Sequence, residues 1–114
     1  MNSKKLSGVN NAKHEFSFVE EHISKSTRRF TLKGRVTVNE ASVMEFKMNE
    51  SIKSGCERII INMSLVSMFT SAGIRVILST HKKLKKAGGE LKIENPAENV
   101  RNVIGMAALD EMLL

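Results

Sequence analysis

The segment Arg58 to Met63, RIIINM, constrains this chain more than any other. Ile59, Ile60 and Ile61 are consecutive and β-branched, so the run has no polar side. A short continuous apolar stretch of this kind fits a strand buried on both faces, as in a parallel sheet covered by helices. Its neighbours in the chain have a helical period. Before it, Ala41, Met44, Met48 and Ile52 recur at helical spacing, with Asn39 placed as N-cap and Gly55 as C-terminal stop. After it, Ile74, Ile77, Leu78, His81 and Leu84 line one face of a helix that ends at Gly88 and Gly89. The opposite face carries Arg75, Ser79, Lys82 and Lys86.

Two further segments alternate. HEFSFVEE sets Phe16 and Phe18 against Glu15 and Ser17, and RRFTLKGRV sets Phe30 and Leu32 against Thr31 and Lys33. Both read as strands with one buried face, joined through Ser24 to Ser26, and Gly34 marks a bend or bulge as the second strand ends. ELKIEN adds a short strand through Leu91 and Ile93. Pro96 then stands as the first residue of a helix bearing Val100, Val103 and Ile104. LDEMLL is compatible with a closing strand or a last helical turn. Residues 1–13 are polar, lack a period and read as a flexible tail, which leaves 14–114 as one domain. The order ββαβαβα predicts an α/β fold: a mixed, four-stranded sheet backed by helices, with the first two strands as a hairpin or edge element.

Composition removes several functions. At 114 residues there is room for one core. No apolar run approaches the roughly 20 residues that span a bilayer, and the N-terminus lacks the apolar region of a signal peptide; a cytoplasmic protein without membrane insertion is expected. Cys56 is the only cysteine, which excludes an intrachain disulfide and a cysteine-rich zinc site, and it reads as a small core residue. His14, His22 and His81 have no metal-ligand spacing, and Asp110 is the only aspartate. No convergent catalytic set can be assembled, so no enzyme, metal or cofactor is expected. KKAGGE is a helix-stop turn rather than a phosphate loop, because it lacks the Walker pattern and follows a helix. The net charge of +6 and the cluster Lys82, Lys83, Lys85 and Lys86 raise nucleic-acid binding, but there is no Trp or Tyr to stack on bases. A solvated helix face is the simpler reading of the lysines.

MFTSAGIR, Met68 to Arg75, is where a helix must start near the carboxyl end of the buried strand, the place where open α/β sheets meet ligands and partners. Ser71 fits the N-cap, a role that needs no further function. It also fits a phosphoacceptor. A phosphate adds about −1.5 to −2 charges, which the free N–H groups and positive dipole end of a helix can accept. Ala72 and Gly73 leave the hydroxyl open to the active site of a second protein.

From Phe30 to Leu114, about three quarters of the chain, the sequence resembles a STAS domain, in particular the bacterial anti-sigma-factor antagonists. LKGRV is similar to the family's Leu-x-Gly-x-Leu strand end, RIIINMSLVSM to its apolar strand and following loop, and TSAGIRVIL to its Asp-Ser-Ser/Thr-Gly-Leu-x-x-Leu turn and helix. KKAGGELKI resembles its Gly-Gly turn and next strand. VRNVIGMAALDEML continues to the end, with Met106 to Leu109 standing where the family often has Ser-Gly-Leu.

The resemblance implies a phosphorylation-controlled binding switch. Unphosphorylated, such an antagonist binds an anti-sigma serine kinase and frees a sigma factor; phosphorylated, it lets go until a serine phosphatase resets it. Ser71 matches the phosphoacceptor. The implied partner surface includes Thr37, Thr70, Ser71, Ala72, Gly73 and Arg75, with Ser79 and Lys82 farther along the helix. Thr70 and Thr37 stand where the family has aspartates, so two negative charges are missing from one expected interface, and a partner with positive groups there would bind more weakly. Ala72 replaces a common second hydroxyl, while Thr70 remains an alternative one. The other readings are a STAS-type regulatory subunit of a transport or other ATPase complex, with Ser71 as a helix cap only, and a nucleic-acid-binding module.

Overall fold

The computed structural model describes residues 15–114; the tail read over 1–13, and His14, lie outside the described residues. The elements are β1 (Ser17–His22), β2 (Thr27–Val36), α1 (Val38–Lys53), β3 (Arg58–Phe69), α2 (Ser71–Lys86), β4 (Glu90–Glu94) and α3 (Glu98–Met106), closed by a 3₁₀ turn at Asp110–Met112. The four strands lie in the order β1-β2-β3-β4. β1 pairs with β2 antiparallel, as a hairpin must; β2 with β3 and β3 with β4 are parallel, each joined through a helix.

Both long helices begin one or two residues from where their sequence places them. The N-cap of α1 is Thr37 rather than Asn39. Its main-chain N–H and its hydroxyl both donate to Glu40 Oε1, so Thr-x-x-Glu closes the first turn locally and the helix can start at Val38. The C-termini follow the expected glycines. Gly55 and Gly88 take φ of 102° and 87°, a conformation that favours glycine. In each case the next N–H, of Cys56 or Gly89, returns to the carbonyl of Ser51 or Leu84. A Cβ on Gly89 would lie 1.7 Å from the Glu57 carbonyl oxygen, so the Gly-Gly pair serves both the turn and the close approach of the chain to β3.

β3 is twice the length of its apolar run. What reads as a loop after Met63 continues as strand to Phe69, with two bulges relative to β2: Met63 and Ser64 oppose Leu32 alone, and Ser67 has no counterpart between Gly34 and Arg35. The first bulge is held by Asn62, whose Oδ1 accepts the N–H and the hydroxyl of Ser64 at 2.9 and 2.8 Å. At the second, Gly34 has φ 93°. Each bulge shifts the alternation by one residue. Met63, Val66 and Phe69 therefore face the core, while Leu65 and Met68 face out.

The buried residues of all three helices join one cluster with the inward side of the sheet, in which Phe30, Leu32, Met44, Met48, Ile59, Ile61, Ile77, Leu91 and Ile104 are fully buried. Such aliphatic side chains contribute roughly 1.5–3 kcal/mol each relative to exposure. Ile60 lies outside this cluster. It faces the other side of the sheet, where helices were also expected; its register neighbours are Arg29 on β2 and Lys92 on β4, and it is buried without a helix over it. Cys56 is buried, as its sequence position suggests. The β1–β2 turn is tied by the buried Arg28, whose Nη1 donates to the carbonyls of Ser24 and Lys25.

Two contacts finish the far edge. His81 Nδ1 accepts the Leu91 N–H at 3.2 Å, and the Leu114 N–H donates to the Ile93 carbonyl at 2.8 Å. LDEMLL thus supplies both a 3₁₀ turn and a single bridge, Ile93 to Leu113. The N-cap of α3 is Ala97, so Pro96 sits two residues before Glu98 rather than opening the helix. From there the Ala97 N–H and Asn99 Nδ2 reach the Met63 and Ser67 carbonyls of β3, covering the stretch of its edge that β4 does not reach.

Candidate partner-binding site at the start of the second helix

β2 and β3 run parallel and end together at Val36 and Phe69, so the residues that follow them, Thr37 and Thr70, emerge side by side. The Thr70 N–H and its hydroxyl both donate to the Val36 carbonyl, at 3.2 and 2.9 Å. Thr70, not Ser71, is the N-cap of α2: its carbonyl accepts from Gly73 and Ile74 at 3.0 and 3.2 Å. The Thr70 hydroxyl is turned toward the neighbouring strand and makes no hydrogen bond to its own helix. The cap is therefore made by the main chain alone.

Ser71 becomes the first residue of the helix and is exposed. Among the described residues its hydroxyl has no hydrogen-bond partner. Of the two hydroxyls that compete in sequence, one is tied to Val36 and half-buried, and the other is open. Arg75 stands one turn on, exposed and on the same side of the helix. The first turn of α2 contains no acidic residue, so the positive end of the dipole meets no anion there.

Gly73 belongs to the site by position but not by contact. It is buried over the Phe69 ring, and a Cβ at Gly73 would fall 2.7 Å from ring atoms. The ring of the last β3 residue thus fits beneath the first helical turn only because that position has no side chain. Ala72 and Ser79, both half-buried, line a groove between α1 and α2, with Val38, Ser42 and Glu45 opposite. Lys82 is exposed about 16 Å along the axis from Ser71 at 1.5 Å per residue, so it reaches only a broad partner. The next lysine, Lys83, is bonded to Asn49 Oδ1 of α1 at 2.9 Å.

The residue that reading by position overlooked is Glu40. Thr37 lacks the carboxylate of the family pattern, but Glu40 folds back onto it and brings a carboxylate to the same end of the sheet. The Thr37 hydroxyl first, then the main-chain N–H groups of Glu40 and Thr37 and the positive charge of Arg35, hold its pKa below the ordinary carboxylate range against the opposing effect of desolvation. Thr-x-x-Glu was the available signal.

Among the described residues no group of three or more His, Cys, Asp or Glu could hold a metal ion, and no helix is long and apolar enough to cross a membrane.

The mixed four-stranded sheet backed by helices agrees with the comparisons. The STAS domain family model matches residues 18–114, and the chain belongs to that family, within it to the anti-sigma-factor antagonists. The chain is 30% identical over 80 residues to the anti-sigma-B factor antagonist of Bacillus subtilis, covering 70% of this chain and 72% of the relative. The fold matches that of the anti-sigma factor antagonist SpoIIAA in its unphosphorylated form with a TM-score of 0.81, at 22% identity over 86% of each chain. The phosphorylated form of SpoIIAA, described as a Bacillus cell fate determinant, matches with a TM-score of 0.74 at 20% identity, over 86% of this chain and 89% of that one.

Proposed function

We propose that this chain is a switch protein of a bacterial partner-switching system, acting by binding rather than catalysis in the cytoplasm. Its unphosphorylated form binds an anti-sigma serine kinase through Thr37, Thr70, Ser71, Ala72 and Arg75, with Ser79 and Lys82 at the margin, and so releases a sigma factor. The observation that carries the reading is the open Ser71 hydroxyl at the first position of α2, beside a Thr70 hydroxyl already committed to Val36.

The chemistry is one transfer and its reversal. The kinase moves the γ-phosphoryl group of ATP to Ser71 Oγ, ADP leaves and the hydroxyl proton is lost. A serine phosphatase later hydrolyses the ester, returning serine and inorganic phosphate. The phosphate stands outside the fold, where the helix N-terminus and Arg75 accept it with little internal disturbance. The cost therefore falls on the interface, as like-charge repulsion and desolvation at its centre.

The test pairs phosphate mapping with capture. Incubation with a candidate kinase and ATP should place one phosphate on Ser71, none in Ser71→Ala, and one still in Thr70→Val. Wild type should retain the kinase in a pull-down and Ser71→Glu should lose it. Phosphate on Thr70, or equal retention by Ser71→Glu, would overturn the reading and leave a STAS domain whose Ser71 only opens a helix.

A further inference from the structure

The face of the sheet that carries no helices is divided into two unlike halves. At the β4 side and the amino ends of the parallel strands, every cation among the described residues is occupied. Arg29 bonds Glu94 at 2.8 Å and lies 3.9 Å from Glu21, Arg58 bonds Glu90 at 2.9 Å, and Lys92 Nζ donates to the Glu111 carbonyl at 3.1 Å. At the other half, Lys33 and Arg35 are exposed, and among the described residues no carboxylate lies within ion-pairing distance of either. Arg35 acts on Glu40 only from a distance, and that carboxylate is already committed to Thr37.

Beside these two cations stand two apolar side chains in register with them, Leu65 opposite Lys33 and Met68 opposite Arg35. Leu65 is 55% exposed and Met68 40%. Unbroken alternation after Met63 would bury Leu65. The first bulge turns it outward, and the second keeps Met68 on the same side. Arg35 Nη2 rests 3.9 Å from the Met68 sulfur, so the cation flanks the apolar pair rather than covering it.

We infer that Lys33, Arg35, Leu65 and Met68 form a second docking surface, fitted to an amphipathic acidic segment of a protein partner. Two apolar side chains flanked by two uncompensated cations match a segment with apolar residues on one side and Asp or Glu beside them. An anionic bilayer or a nucleic-acid strand would have to cover a wider field, and the other half of this face confronts it with Glu21, Glu90 and Glu94. The surface lies on the sheet face away from the helices, with Arg35 and Met68 two residues before Thr37 and Thr70. It does not depend on Ser71 being a phosphoacceptor.

The test is a titration of isotope-labelled full-length protein with a synthetic amphipathic peptide of leucine and glutamate at helical spacing. The same peptide with lysine for glutamate, phosphatidylglycerol vesicles and a single-stranded oligonucleotide serve as the other arms. The acidic peptide should shift amide signals of residues 31–36 and 64–69, and its affinity should fall about fivefold or more in Lys33→Glu with Arg35→Glu. Leu65→Ser with Met68→Ser should weaken it as well. All four positions are exposed, so both variants should keep the wild-type thermal midpoint within a few degrees, and Ser71→Glu should bind the peptide as wild type does. Absence of saturable shifts at low salt, equal binding of the lysine peptide, or unchanged affinity in the charge-reversed variant would overturn the inference. Stronger binding of vesicles or oligonucleotide through these residues would overturn it in favour of those ligands.

Discussion

Thr70 donates twice to the carbonyl oxygen of Val36, once from its main chain and once from its side chain. This pair of bonds joins the ends of two parallel strands at the point where each hands over to a helix. It fixes the spacing between the Thr37 and Ser71 turns and decides which hydroxyl of the site stays available.

Thr70→Val keeps the shape and removes one donor. The Val36 carbonyl retains the main-chain N–H, so the loss should be about 1 kcal/mol, read as a lower urea midpoint with an unchanged slope. Thr70→Ser should recover most of it, because the hydroxyl is the group that matters. A valine variant as stable as wild type would show that this bond is worth nothing net.

Gly73→Ala should destabilise despite the better helix propensity of alanine. The propensity gain is about 1 kcal/mol, whereas forcing a Cβ to 2.7 Å from the Phe69 ring costs typically 1–3 kcal/mol in a packed core. Phe69→Leu gives up ring volume and should make Gly73→Ala far less costly. Denaturant unfolding of the two single variants and the double measures the coupling; additive effects would mean the ring does not fill that space.

Glu40→Gln tests the returned carboxylate. The pKa of Glu40 is held below the ordinary range in the folded chain, so its stabilisation is present above the unfolded carboxylate pKa and is lost as pH falls through the folded value. The variant should lose stability near neutral pH and show a flatter acid limb. If Glu40 also serves the partner surface, Glu40→Gln should weaken kinase capture more than its stability loss explains, measured at a temperature where both proteins are folded.

His81 supplies a second pH dependence. Burial, with the neighbouring Lys85 charge, holds its basicity below the ordinary histidine range, and its neutral Nδ1 accepts the Leu91 N–H. Protonation would set two donors against each other at the outer edge of β4. The folded form resists the proton more than the unfolded form, so this contribution is full above about pH 6.5 and falls away below it. Urea midpoints of wild type should drop from pH 7.5 to pH 5.5 more than those of His81→Gln.

Much of the fold was legible in local pattern because the signals are local. The element order follows from helical spacing in Ala41, Met44 and Met48, from alternation around Phe30 and Leu32, and from the glycines that end α1 and α2. The helix start at Ser71 was legible to within one residue for the same reason, since small residues and a helical run surround it. Errors fell at the helix starts, one where a local signal was read past and one where a partner distant in the chain decides the outcome. Asn39 yielded its cap to Thr37, although Thr-x-x-Glu was there to be read. Ser71 yielded its cap to Thr70.

By itself, then, the sequence determined an α/β chain with a serine turn at the end of its most apolar strand, because periodicity and turn chemistry act over a few residues. Only the tertiary structure decided that Thr70 is tied to Val36 while Ser71 is open, and that two bulges turn Leu65 and Met68 out beside Lys33 and Arg35. Strand register and cross-strand hydrogen bonds join residues some thirty positions apart, as Val36 and Thr70 are 34 apart, and no local period encodes which of them will meet.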